Sequence, residues 1–514
     1  MEHETGGLRG RWHRASPGRR LTGLAVALLV ATALVTVLGV ASQPVYPEWS
    51  DDDELLDDLR LAPTSELWST DLATLAEPGL PAGCRGFRAA GRIDDDALVT
   101  STATAYDGCE SPVALLARIA PTTGEVRWVL DLTSRLDEAG SYLNVVVDDD
   151  GSRGTVIGQT SLASRVLRVD LDTGTVLGDV IGPADDPTAP IEQAVGISRG
   201  RLLVALQPPE RVTDDGQGLE YDSGEATPYR LIDLDDPDRS IWSGELGVYG
   251  SPFLLGSFLV VEAESQGDPT VVDTETGEAH PVPGDIGVLE NAGAVDDLLV
   301  VTVTTRDGDR EAVALDRSGD RVWTTPLALD GQVTVTDDCV LVTDPPSTFR
   351  CLEASDGGER WQRRVTLDEG YSAQIDSYQQ LIGGSAVVVH LDSREAGSAD
   401  LEGEDPATIL GLSPLTGATT FSAEVPSQAF LTGLSRTVGF ASSYIGQDFS
   451  QTIMTAFDLS DGRTLWQERS PSRGTLDLWA GTLVSVDAEG VAHGLRTRAE
   501  VVPPTADDAT PPLG

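Results

Sequence analysis

Between residues 66 and 498 the chain alternates short apolar runs with polar breaks rich in Asp, Gly and Pro. The runs include ALVTSTATA, GTVIGQTS, RLLVALQ, SFLVVEAE, DLLVVTVTT, CVLVTD, SAVVVHL and TVGFASS. Val, Leu and Thr at period two, bounded by turn formers, predict β-strands.

After each run comes a second unit, which recurs eight times. It reads apolar strand, usually an acid, a short turn with Gly, then another strand, often with Trp four residues after the glycine. The copies are LLARIAPTTGEVRW (Gly124, Trp128), RVLRVDLDTGTVLG (Gly174), YRLIDLDDPDRSIW (Trp242), TVVDTETGEAHP (Gly277), AVALDRSGDRVW (Gly319, Trp323), FRCLEASDGGERW (Gly357, Trp361), TILGLSPLTGATTF (Gly417, with Phe421) and MTAFDLSDGRTLW (Gly462, Trp466). With Pro237 taken as the turn of the third copy, successive turns lie 38 to 63 residues apart. The glycine supplies positive φ where two antiparallel strands reverse. The preceding Asp170, Asp233, Asp273, Asp316, Asp458 or Glu353 can accept from turn N–H groups. The Trp is suited to cover apolar area between neighbouring sheets.

Four-stranded units of about 40 to 60 residues describe propeller blades. AVALDRSGDRVW and TAFDLSDGRTLW resemble the PQQ-like (quinoprotein-type) propeller repeat, whose signature is Ala-Leu-Asp, a few residues, Thr-Gly, then Trp. The resemblance covers about 66–498. It implies an all-β, eight-bladed β-propeller of four-stranded antiparallel blades, with seven blades as the alternative, while a literal count of units along the chain gives a ninth, partial one. SELWSTDL near Trp68 reads as an outer strand without its blade, and GTLVSVDAEGVAHGL as inner strands without an outer partner. Their union would seal the ring and remove exposed edges.

The N-terminal region adds a different element. Residues 21–42 carry no charge, are long enough to span a bilayer, and are preceded by five arginines and followed by an acidic stretch. They predict one transmembrane helix, a signal anchor with a cytoplasmic basic tail over 1–20. A cleaved signal peptide is the competing reading. Residues 43–65 read as an acidic, Pro-containing linker, 66–498 as an extracytoplasmic propeller, and 499–514 as a disordered tail. The expected location is the cell membrane, single-pass. The resemblance in this form is to a membrane-anchored, non-enzymatic branch of the PQQ-like group.

Charge narrows the partners. The chain holds 35 Lys+Arg, all arginine, against 83 Asp+Glu, for a formal charge of -48. Such a field disfavours nucleic acid and anionic lipid and favours a cationic ligand or a basic patch on a cell-envelope protein. The four cysteines fall into two local pairs, Cys84 with Cys109 and Cys339 with Cys351. In an exported chain both predict disulfides. If Asp344-Pro345-Pro346 is the turn, Cys339 falls opposite Cys351.

Chemistry is sparse. In quinoprotein dehydrogenases the resemblance implies PQQ over calcium, an adjacent Cys-Cys disulfide and a catalytic Asp, and this chain has no adjacent cysteines. No catalytic, cofactor or metal residue is therefore assigned. His280, His390 and His493 lie in separate units without metal-ligand spacing. GISRG at 196–200 fits a nucleophile-elbow pattern only in its letters, because a strand follows it. The acidic runs from Asp148 and Asp233 lack a full calcium-loop ligand series, which leaves calcium as a minor expectation. Long acidic connections between second and third strands supply the candidate binding loops: Asp214, Asp215, Glu220, Asp222 and Glu225 in one, and Glu395, Asp400, Glu402, Glu404 and Asp405 in the other. The expected function is a tethered interaction scaffold. A PQQ-dependent oxidoreductase and a polysaccharide or small-ligand sensor are the alternatives.

Overall fold

The computed structural model describes residues 46–47 and most of 55–497. The longer segments outside the described residues are 103–108, 137–142, 183–189, 213–218, 221–226, 262–268, 376–386 and 394–406. The expected tail over 1–20, span over 21–42 and tail over 499–514 also lie outside them.

Nine four-stranded antiparallel sheets follow one another along the described chain. Eight are built from consecutive chain: sheet 1 over 86–131, sheet 2 over 143–181, sheet 3 over 191–246, sheet 4 over 253–281, sheet 5 over 286–326, sheet 6 over 332–364, sheet 7 over 371–425 and sheet 8 over 430–469. The ninth, the closing sheet, adds Pro63–Asp71 to three strands between 475 and 497, with Trp68 opposite Gly494 and Asp71 opposite Val491. SELWSTDL is thus the outer strand of the C-terminal unit.

Packing runs full circle. First strands meet where glycine lets them approach: Gly91 against Val147, Gly196 against Leu254, Gly293 against Val335 and Gly433 against Leu478. Sheets 2 and 3 share Ile157, Val166, Ala194 and Leu202, and sheets 6 and 7 share Leu341, Phe349, Leu410 and Leu412. The rings of Phe421 and Phe457 join sheets 7 and 8 at 6.0 Å. From the closing sheet, Asp477 accepts the Ala89 N–H of sheet 1 at 3.2 Å. Apolar side chains buried on both faces of each sheet, between its neighbours, form the core.

The turn glycine and the outer-strand tryptophan act on each other across sheet boundaries. A Cβ at Gly124 would lie 2.5 Å from the Trp68 ring, one at Gly174 2.5 Å from Trp128, one at Gly357 2.8 Å from Trp323 and one at Gly417 2.6 Å from Trp361. The indole N–H of each Trp donates to a carbonyl three residues before that glycine: Trp68 to Pro121 at 2.6 Å, Trp128 to Leu171 at 3.0 Å, Trp323 to Ala354 at 2.6 Å and Trp361 to Pro414 at 2.7 Å. Glycine is therefore required twice over, for positive φ and for the space an aromatic plane takes. Gly277, Gly319 and Gly462 keep positive φ, but they face Ile241, His280 and Ser422 because the preceding sheet offers no docked Trp.

Several expectations are corrected. Nine sheets replace eight blades. The eight motif copies map onto sheets 1–8, while the closing sheet is split between the chain ends and carries no turn to count. The third turn is the Leu234–Asp235 hairpin, with Asp233 paired to Asp236, so Pro237 lies inside the outer strand. Trp242 folds against Gly244 of its own strand instead of docking on Gly277. Membrane anchoring is also withdrawn: among the described residues no helix is long and apolar enough to cross a membrane. Within the expected linker, Leu56 to Arg60 dock against sheet 8, and from Pro63 the chain is already the outer strand of the closing sheet.

Cys84 and Cys109 form a disulfide that ties the approach to sheet 1 to the connection between its second and third strands. Cys339 and Cys351 are buried thiols that form no disulfide. Asp344 pairs with Thr348, so the turn is placed later than Asp344-Pro345-Pro346 would put it. Cys351 consequently faces Leu341, and Cys339 lies diagonal to it on the same face.

Candidate binding surface

Strand alternation puts the hairpins between first and second strands on the same face as the Gly turns. Asp carboxylates organise those turns. Asp170 accepts from Thr173 N at 2.8 Å, Asp233 from Asp235 N at 3.0 Å, Asp273 from Glu275 N at 2.8 Å, Asp316 from Ser318 N at 2.9 Å and Asp458 from Ser460 N at 2.8 Å. The Thr173 backbone and hydroxyl hold the Asp170 carboxyl below its usual range. Glu353 departs from the pattern and makes a two-point pair with Arg360 at 2.8 and 2.7 Å. GISRG is a hairpin on this face, with Arg199 and Gly200 at positive φ.

Arginines latch sheets 1 to 5 to one another. Arg118, in the third strand of sheet 1, donates to Asp96 at 2.8 Å and reaches Asp172 of sheet 2 at 3.5 Å. Arg168 of sheet 2 grips Asp148 at 2.8 and 2.6 Å and reaches Asp235 of sheet 3 at 3.3 Å. Arg201 of sheet 3 meets Asp233 at 2.9 Å and the Thr274 carbonyl of sheet 4 at 3.3 Å. Arg317 of sheet 5 reaches back to Glu275 of sheet 4 at 3.0 Å while holding Asp297 at 2.8 Å. The carboxylates of Asp148 and Asp233, considered above for calcium, are thus engaged by arginine.

Sequence reasoning missed this ladder. Its signal was an arginine inside an otherwise apolar strand, as in ARIA and LRVD, where an unpaired cation would be costly to bury.

Although each lies within ion-pair reach of an arginine, carboxylates along sheets 1–5 keep most of their side-chain surface in water. Asp94, Asp95, Asp172, Asp235, Glu275 and Asp297 have side chains 59% to 101% exposed. They form an arc of fixed negative charge on a rigid base. The candidate binding loops connect second to third strands. Asp214, Asp215, Asp222, Glu225, Glu395, Asp400, Glu402, Glu404 and Asp405 lie outside the described residues, and Glu220 pairs through its backbone with Arg211 in a two-residue hairpin. His493 lies 3.1 Å from Glu66 and 3.4 Å from Asp487, joining the N-terminal strand to the C-terminal hairpin. His280 packs against Gly319.

A family model described as outer membrane protein assembly factor BamB matches residues 308–494. No curated protein matches the chain. Among solved structures, BamB from Moraxella catarrhalis is similar at 14% identity and a TM-score of 0.37, over 70% of this chain and 97% of that one. The quinohemoprotein alcohol dehydrogenase ADHIIG from Pseudomonas putida HK5 is similar at 12% identity and a TM-score of 0.37, over 88% and 84%. Apo AztD from Citrobacter koseri is similar at 8% identity and a TM-score of 0.36, over 69% and 91%. The resemblance read over 66–498 is therefore corrected to a weak and partial one, without its membrane-anchored form.

Proposed function

We propose that this chain is a binding scaffold: a closed ring of sheets that presents a fixed carboxylate arc to a cationic surface on a protein partner. The observation carrying this reading is the arc itself, from Asp95 to Asp297, held by Asp-capped turns and inter-sheet arginines so that little ordering is needed on binding. Long-range attraction to such an arc accelerates encounter and weakens with salt. Rigid placement also distinguishes the arc from acids on a solvated tail.

The test uses an Arg/Lys-rich peptide and titration calorimetry at low and high salt. Replacing Asp94, Asp95, Asp172, Asp235, Glu275 and Asp297 with Ser or Gln is expected to weaken binding about tenfold or more and to flatten its salt dependence. Unchanged affinity and salt dependence in the folded variant would reject the arc as the binding surface.

A further inference from the structure

The closing sheet differs from the other eight in its third and outer strands, Val491–Thr497 and Pro63–Asp71, which come from opposite ends of the chain and share no turn. Residues 59–62 stand where that turn would be. In the intact turns the indole acceptor lies three residues before the turn glycine, as Pro121 does before Gly124 and Pro414 before Gly417. Trp466 of sheet 8 donates to the Leu59 carbonyl at 2.8 Å, three residues before Ala62, and the outer strand begins at the next residue, Pro63.

The seat reads side chains as well as backbone. Leu56 donates its N–H to the Leu434 carbonyl at 2.8 Å, bridges Ser435 in parallel, and lies over Gly433, where a Cβ would come within 2.0 Å of it. Asp58 accepts from Ser435 Oγ, from Thr437 N at 3.0 Å and from Thr437 Oγ1 at 2.8 Å. Leu59 is buried with Phe440, Met454, Trp466 and Leu476. Arg60 donates to Thr437 Oγ1 at 2.8 Å and pairs with Asp458. Four positions of a five-residue stretch each meet a chemically matched partner.

We propose that this cleft between sheet 8 and the closing sheet is a peptide-binding site for an extended Leu-x-Asp-Leu-Arg segment, filled in cis by residues 56–60 and able to accept the same segment from a second copy of the chain. The apolar hollow over Gly433 and around Met454 selects leucine. The Ser435 and Thr437 donors select a carboxylate, and Asp458 selects a guanidinium. The site does not depend on the carboxylate arc.

The test uses the full chain carrying Leu56→Ala, Asp58→Ala and Leu59→Ala, with a fluorescent synthetic peptide of residues 51–62 followed by anisotropy. The variant is expected to bind the peptide saturably. The native chain, with its seat filled, should bind on the order of tenfold more weakly, as should the variant when the peptide itself carries Leu59→Ala. Should the triple variant fail to fold, Trp466→Phe in the otherwise native chain removes the indole donor while retaining an aromatic. Amide exchange at Leu56 and Leu59 should then accelerate, with sheets 2–5 unaffected. A folded triple variant that ignores the peptide, equal binding by variant and native chain, or unaltered exchange in Trp466→Phe would each overturn the proposal.

Discussion

Single residues show how little tolerance the repeat leaves. At Gly417, φ is +67° and a Cβ would lie 2.6 Å from the Trp361 ring. Gly417→Ala should cost about 1–3 kcal/mol in chemical denaturation, from backbone strain and displacement of the indole. Trp361→Ala should cost more, about 3–5 kcal/mol, because it leaves a cavity between sheets 6 and 7. Asp477 provides a pH signature. It is half-buried, accepts from Ala89 N and from Leu478 N at 2.8 Å, and desolvation pushes its carboxyl above the usual 3.8. A raised carboxylate favours the protonated folded state, so its contribution is greatest below the unfolded value and is lost as pH rises through the folded one. Relative to Asp477→Asn, the native chain should therefore lose stability as pH climbs from about 4. Thermal melts of both proteins across pH check this, and parallel curves would contradict it.

At the scale of elements, the strand–turn–strand units were the most legible part of the sequence, because period-two apolarity, the turn acid and the glycine all point to one local geometry. Each of the eight copies forms the third and fourth strands of a sheet. Whatever depended on register or on a neighbouring sheet was harder to read. Trp242 has the expected composition but the wrong partner, since a two-residue turn at Leu234–Asp235 and bulges along its strand re-aim it. The Cys339–Cys351 expectation failed through turn placement. Both thiols face sheet 7, and the hydrogen bond between them together with burial pushes the Cys351 thiol up. Alkylation should accordingly leave Cys339 and Cys351 unmodified in the native protein and label both after unfolding. Cys84 and Cys109 should label only after reduction. Replacing these last two with serine should cost about 3 kcal/mol, from the 25-residue loop they close.

For the whole molecule, ring closure governs the count. The motif count stopped at eight because the closing sheet divides its third and fourth strands between the two ends of the chain. The proposed carboxylate arc was not legible in the sequence. Charge pointed to a cationic partner, but the exposed arc and its arginine supports appear only when consecutive sheets are placed side by side. Arg168, with its side chain 7% exposed, joins sheets 2 and 3. Arg168→Ala should cost about 2–4 kcal/mol in denaturant unfolding, because Asp148 loses its two-point partner.

The most direct test of the ring is a cross-link between its two ends. Thr70 lies opposite Ala492 in the closing sheet. With Thr70→Cys and Ala492→Cys in one chain, mild oxidation followed by non-reducing peptide mapping should join the peptides containing residues 70 and 492 within a single molecule, and the oxidised form should melt at higher temperature. Persistent free thiols at both positions in the folded protein would show that the N-terminal strand does not complete the ninth sheet.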